Sequence, residues 1–411
     1  MTRPSPGSRS LLARGWPWAL AFAGWMALAL RPEIAGWLGF QYGDKWFLDT
    51  HALLSALDAH RAGLDPGRPN PFDVLGRPHS YSDWWYALGW LGLDRTHNTG
   101  LGLTFVGLLV VAGWAVARPS TWWQGAGLAL LLGSPAVLLA VHRANNDLVI
   151  LALLALAGWV WPGEQRWRVP VAWVCLALAT GLKFYPVAAG ALFLLLRPAP
   201  RLRRVGVPAV LGLGLILASV AEALPRGQFA IGVSIHSLGL PILLGDLGLG
   251  GPGFRVAASL ALLAGGFWLA KAGVVTWSEP EPEDGRGRAW FVLGAAVLLA
   301  CFLGGVSHAY RWVFLLLLLP GWWRESQRGS RVARLALGLA LVIVWADGLL
   351  ALLANFGGFE VPADQSGLLS RWRLATQPLH WWLMLLLAGW LAAAGAAAWR
   401  AWRADGQDRT A

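Results

Sequence analysis

The apolar residues of this chain come in long blocks separated by short polar breaks. Trp16 to Leu30, Leu101 to Val116, Leu128 to Val141, Val207 to Val220 and Leu335 to Ala354 are each able to cross much of a bilayer. The breaks are rich in Pro, Gly and Arg, where helices end and turn. The pattern predicts an all-α polytopic membrane protein, a single integral membrane domain over residues 1–411.

The arginines orient it. Under the positive-inside rule the clusters Arg3/Arg9/Arg14, Arg118, Arg166/Arg168, Arg197/Arg201/Arg203/Arg204, Arg286/Arg288, Arg324/Arg328/Arg331/Arg334 and Arg400/Arg403 mark the cytoplasmic side. Seven clusters enclose six intervals, each with an outer turn near its middle, so the expected count is about twelve spans with both termini inside. The first run follows basic residues, yet Leu30-Arg31-Pro32 offers no small-residue cleavage site, and it reads as an uncleaved first span.

Some spans are short. Val169 to Thr180 and Phe184 to Leu196 fall below the roughly 20 residues that cross the hydrocarbon. Irregular backbone at that depth is tolerated where it is buried in protein or lines a wet cavity, so an outward-facing polar cavity is expected. No convincing internal repeat relates the two halves, which weighs against an inverted-repeat transporter.

The longest polar segment, 41–98, is the first outer loop; 225–254 and 355–377 form two more. Within the first, Thr50 to Ala62 and the tryptophan-rich Ser82 to Leu93 read as helices lying in the membrane interface. Seven aspartates against five Lys and Arg residues make this loop acidic, unlike the inner loops. The inner segment Glu279 to Asp284 is an acidic solvated turn.

Composition agrees. Of 411 residues 56% are hydrophobic and 13% charged, where a soluble domain carries about 25% charged residues. The net charge of +11 resides in arginines at block ends and reports orientation, so no nucleic-acid partner is implied. Both cysteines, Cys175 and Cys301, lie in apolar runs and offer no disulfide framework.

Ionisable groups at membrane depth are costly and default to function. Four groups stand out: Asp44 and Asp49 after the first span; His142-Arg143-Ala144-Asn145-Asn146-Asp147; Lys183-Phe184-Tyr185-Pro186; and Ser307-His308-Ala309-Tyr310-Arg311. All fall on the outer side of a topology drawn from arginines alone. A carboxylate with several cations at one interface suits sugar transfer from a lipid carrier: Asp takes the proton of an attacking hydroxyl, while Lys, Arg and His neutralise the departing phosphate. Blander roles stay open. Asp49 could cap the interfacial helix, Asn145 and Asp147 the following span; Lys183 and Arg311 could snorkel; His142, His236 and His308 could be satisfied hydrogen-bonding residues. No spacing marks a metal site and no cofactor is implied.

These segments resemble a known family. Gly43-Asp44-Lys45-Trp46-Phe47-Leu48-Asp49, Gly63-Leu64-Asp65-Pro66, His79-Ser80-Tyr81, Arg143 to Asp147, Leu182 to Pro186 and Tyr310-Arg311 with the later Pro320 look like the bacterial GT-C glycosyltransferases of family 87, which are similar to polyprenol-phosphate-mannose-dependent α-mannosyltransferases. The resemblance covers roughly residues 40–325. It implies a GT-C membrane fold, a polyprenyl-phosphate sugar donor, and a base on the first outer loop, with Asp49 the first candidate and Asp44 its competitor. Arg143, Asn145 and Asp147 match the stretch after the third span, where Ala144 stands in place of the usual Gly. Lys183 and Tyr185, and Tyr310 and Arg311, match the elements that would hold phosphate; His142 and His308 complete the candidate substrate-binding set.

The expected activity is therefore inverting transfer of a hexose, mannose-like, or a pentose to a lipid or glycan acceptor at the outer face of the bacterial cytoplasmic membrane. The alternatives are a secondary transporter of an anionic solute, a glycan polymerase or ligase using a diphosphate-linked donor, and a non-catalytic scaffold.

Overall fold

A computed structural model describes residues 6–40, 42–65, 68–161, 167–191, 195, 236–277, 285–356 and 367–407. The expected span Val207 to Val220, the basic cluster from Arg197 to Arg204, the acidic turn 279–284 and parts of the two later outer loops lie outside them. The described residues are almost wholly helical. In chain order they form α1 (Pro6–Leu30), α2 (Glu33–Trp37), α3 (Leu48–Arg61), α4 (Asn98–Val116), α5 (Trp122–Leu132), α6 (Pro135–Arg143), α7 (Asp147–Val160), α8 (Arg168–Leu182), α9 (Leu240–Asp246), α10 (Pro252–Lys271), α11 (Gly285–Leu303), α12 (Leu315–Gln327), α13 (Arg331–Phe356) and α14 (Gly367–Gln407). Tighter 3-10 turns run over Asp83–Leu91, Tyr185–Gly190 and Ala309–Phe314.

Five described helical stretches are long and apolar enough to cross a membrane: Arg95–Val116, Pro252–Lys271, Gly285–Leu303, Arg331–Phe356 and Leu374–Arg400. The bent pair α5 and α6 makes a sixth if taken as one span. This is a helical membrane protein, and its described residues hold fewer full-length spans than the arginine count of twelve. Several apolar blocks form helices too short to cross alone, notably α7 and α8, of 14 and 15 residues.

Leu128 to Val141, expected as one span, is two helices meeting at 52°. Ser134 causes the break: its hydroxyl accepts from the Val137 amide at 3.4 Å, and Pro135 takes the first helical position, where its missing N–H costs nothing. The bend turns α6 inward and delivers its last residue, Arg143, to the interior.

At the centre lies α11, apolar on every side and largely buried, as befits a helix enclosed by others. It packs on α7, α12 and α14. Indoles anchor the bundle by donating to main-chain carbonyls: Trp290 to Ala155 at 2.8 Å, Trp345 to Leu130 at 3.0 Å and Trp25 to Leu132 at 3.3 Å. Contacts also join several of the basic block ends in pairs. Trp16 stacks on Trp122 at 4.3 Å, Gln327 reaches Ser120 at 3.5 Å, and Arg286 lies over Trp159 at 5.3 Å.

In the polar segment after α2, α3 and the 3-10 helix Asp83–Leu91 form where helices were expected. A short antiparallel ladder pairs β1 (Ser237–Leu238) with β2 (Ser307–His308), Ser237 opposite His308, and the Ala309 amide extends it to the His236 carbonyl at 2.7 Å. A Cβ at Gly239 would sit 2.3 Å from the Gly305 carbonyl oxygen, so this close crossing requires glycine.

Candidate active site

The site is assembled from the ends of elements. Phe47, just before α3, has φ 59, and Ala144, just after α6, has φ 44; both hold the left-handed conformation that costs a side-chain-bearing residue roughly 1–2 kcal/mol. The two turns are tied together, the Phe47 amide donating to the His142 carbonyl at 2.8 Å. Strain of this kind persists where surrounding structure enforces it, and here it fixes the first turn of α3 against the end of α6.

Across that junction Arg143 grips Asp49. Its Nε and Nη2 donate to Asp49 Oδ1 at 3.0 and 2.8 Å. Asn145 Nδ2 donates to Asp49 Oδ2 at 2.5 Å. Asp49 is not the cap of α3: Phe47 holds that position with no side-chain cap bond, and the Asp49 carboxylate accepts from Arg143 and Asn145. Burial pushes its carboxyl up, but Arg143, Asn145 and the nearby Arg77 outweigh that and hold it below the ordinary 3.8. It is a carboxylate at neutral pH.

Asn145 joins this pair to a second cluster. Its Oδ1 accepts from the Asp147 amide at 2.9 Å, opening α7, and from Lys183 Nζ at 3.4 Å. Asp147, fully buried, accepts from Lys183, from the Tyr185 hydroxyl at 2.6 Å, and faces Arg311 Nε at 3.6 Å. Arg311 also donates to Ser307 Oγ at 2.7 Å, and its guanidinium lies over the Tyr185 ring at 4.7 Å. Neither Lys183 nor Arg311 snorkels.

Both clusters border one cavity of about 580 Å³. Of the residues marked by sequence, Asp49, Arg143, Lys183, Tyr185, His308, Tyr310 and Arg311 line it. Asn145 and Asp147 stand fully buried behind its wall. Two candidates are not brought there. Asp44 is exposed on the turn before α3, and His142 is turned away, its Nε2 at the Gly43 carbonyl (3.1 Å) and its ring against Trp46, so it supports the loop carrying Asp49.

Two further wall residues had been given no role: Arg77, and Tyr81 of the His79-Ser80-Tyr81 element. Arg77 approaches Asp49 to 3.9 Å and donates to the Leu48 carbonyl at 2.8 Å. It is held by Asp73, which accepts from Arg77 Nε at 3.1 Å and Nη2 at 2.8 Å; burial pushes the Asp73 carboxyl up, and these Arg77 bonds more than reverse it. Tyr81 is the other. With Tyr185 and Tyr310 it surrounds Lys183, whose ammonium lies 5.9, 5.9 and 5.6 Å from the three rings. The chain has five tyrosines in all, and that rarity, with three converging here, was the available signal.

Compared with protein-family models, curated proteins and solved structures, the chain matches none at a significant level. Among the described residues no group of three or more His, Cys, Asp or Glu side chains is arranged to hold a metal ion. What the cavity does offer is an ionised carboxylate at one side and a lysine and three arginines facing the same space.

Proposed function

We propose that the chain is a membrane glycosyltransferase of GT-C type that moves a hexose, mannose-like, or a pentose from a polyprenyl-phosphate carrier to a lipid or glycan acceptor on the outer side of the cytoplasmic membrane. The observation that carries this reading is Asp49: an ionised carboxylate on a cavity wall with Lys183, Arg143 and Arg311 around the same space.

The acceptor hydroxyl attacks the anomeric carbon as the bond from that carbon to the phosphate oxygen breaks, inverting the centre in one displacement. Asp49 takes the hydroxyl proton, and the phosphate leaves with the electron pair. A carboxylate held below 3.8 is a weak base, which suits a reaction where the attacking oxygen bonds to carbon first and its proton then becomes acidic. Lys183 and Arg311 receive the growing phosphate charge.

Charge balance supports a single-phosphate donor. Arg77, Arg143, Lys183 and Arg311 face Asp49, Asp73 and Asp147, leaving one net positive charge against one phosphodiester anion. After transfer the proton neutralises Asp49, and two net positive charges face the dianionic carrier phosphate. A diphosphate-linked donor would leave negative charge unmatched at each stage.

The test is transfer in proteoliposomes with radiolabelled polyprenyl-phosphate sugars and extracted lipids and glycans as acceptors. Label moving to acceptor from a monophosphate carrier, and not from its diphosphate counterpart, is the expected result. Ion-driven solute accumulation with no transfer overturns the reading.

A further inference from the structure

A second cavity, also about 580 Å³, lies between the C-terminal half of α3 and the 3-10 helix Asp83–Leu91. It is separate from the site of Asp49, but the two share a wall. Tyr81 and Ser82 line the first, and the next residues, Asp83 and Trp84, line the second. Trp84 is locked there: its ring fills the space over Gly181, where a Cβ would come within 2.2 Å, two residues before Lys183.

Its lining mixes flat aromatic faces with charged and imidazole groups. Tyr86 is stacked by His60 at 4.7 Å and by His79 at 5.0 Å, which leaves Trp90 as the open aromatic face. Arg61 is anchored on the Gly89 carbonyl at 3.3 Å. Trp90 stands 90% exposed at the mouth. An indole this bare beside a cavity has two ordinary uses, insertion among lipids or stacking on a ligand. The cavity's own lining carries Arg61 and Asp83, and Arg61 pairs at 3.6 Å with Asp58, which also holds Arg95 at 2.7 Å, so this side of the loop is charged and wet. Such a charged lining belongs in water, not hydrocarbon.

We propose that this cavity binds a neutral oligosaccharide, the non-reacting part of a glycan acceptor. Sugar rings present C–H faces that pack on an indole such as that of Trp90, and hydroxyls that accept hydrogen bonds from guanidinium groups and donate them to carboxylates. Helix α3 sets the spacing. Asp49 is in its first turn and His60 in its last, eleven residues on, so the two sites are about 16 Å apart along the helix at 1.5 Å per residue. A chain of several sugars held beside His60 can extend its end toward Asp49. This assignment of the acceptor rests on the transferase reading; the binding itself does not.

The test is equilibrium binding of manno-, gluco- and galacto-tetraoses and the matching monosaccharides to the purified full-length protein. Wild type, Trp90→Ala, Arg61→Ala and Asp44→Asn are compared. At least one tetraose binds tenfold or more tightly than its monosaccharide; Trp90→Ala and Arg61→Ala each lose tenfold, and Asp44→Asn, exposed and outside both cavities, keeps full binding. Because Trp90 packs on almost nothing, its variant folds. If no tetraose binds better than its monosaccharide, or Trp90→Ala binds it equally, the proposal is overturned. Length-dependent binding in a protein that transfers no sugar would refute the transferase reading and leave the oligosaccharide site standing.

Discussion

Asp49 and Arg143 are 94 residues apart in sequence and 2.8 Å apart in space. The contact exists because a bent helix pair turns Arg143 inward and a strained turn aims the first residues of α3 at it. It keeps Asp49 ionised at neutral pH before any proton is taken up, at the edge of a cavity whose other charged side chains are positive.

Ionisation of Asp49 sets a pH behaviour. Its carboxyl is depressed below 3.8 in the folded protein, so its stabilising contribution is complete above 3.8 and is lost as pH falls through the lower folded value. Transfer should show no acid limb attributable to Asp49 between pH 7 and pH 5. A rate profile set by Asp49 titrating in that window contradicts the pairing with Arg143.

Asp147 is structural as well as electrostatic. Removing it by Asp147→Ala leaves Lys183 and Arg311 facing each other without their shared carboxylate, at a cost of about 3–5 kcal/mol. Thermal unfolding in detergent should shift down strongly, while Lys183→Met, which removes a cation, should unfold closer to wild type and raise the KM for donor.

Arg77 contributes through geometry. Its guanidinium bridges Asp73, the Leu48 carbonyl and the edge of Asp49, a fork that an ammonium cannot reproduce. Arg77→Lys should lower turnover roughly tenfold or more with little change in unfolding temperature. Unchanged turnover would reduce Arg77 to a loop clasp.

Gly181 is a packing requirement. Gly181→Ala places a methyl inside the Trp84 ring, an overpacking that typically costs about 1–3 kcal/mol. Trp84 is rigid and wedged between both cavities, so the variant should lose stability and oligosaccharide binding together.

The sequence made the helical membrane class legible, because hydrophobic blocks and arginine clusters are properties of single segments. It also marked Lys183 and Arg311, since charge at membrane depth has few uses. Partnership was less visible. Nothing local distinguishes Asp49 from Asp44; what separates them is the reach of Arg143 and Asn145 across the fold. His142 resembled a ligand because it adjoins Arg143, yet neighbours on a helix point to different sides. Arg77 was hidden among the charges of a loop whose fold no periodicity announces. The break at Ser134-Pro135 was written in capping chemistry, inside a run apolar enough to pass for one span.

The most direct test of the account is sugar transfer from labelled polyprenyl-phosphate sugars by wild type, Asp49→Asn and Asp44→Asn, each first shown to be folded and membrane-inserted. The account predicts that Asp49→Asn loses transfer by about a hundredfold or more, while exposed Asp44→Asn keeps most of it. Wild-type-like transfer by Asp49→Asn would contradict it.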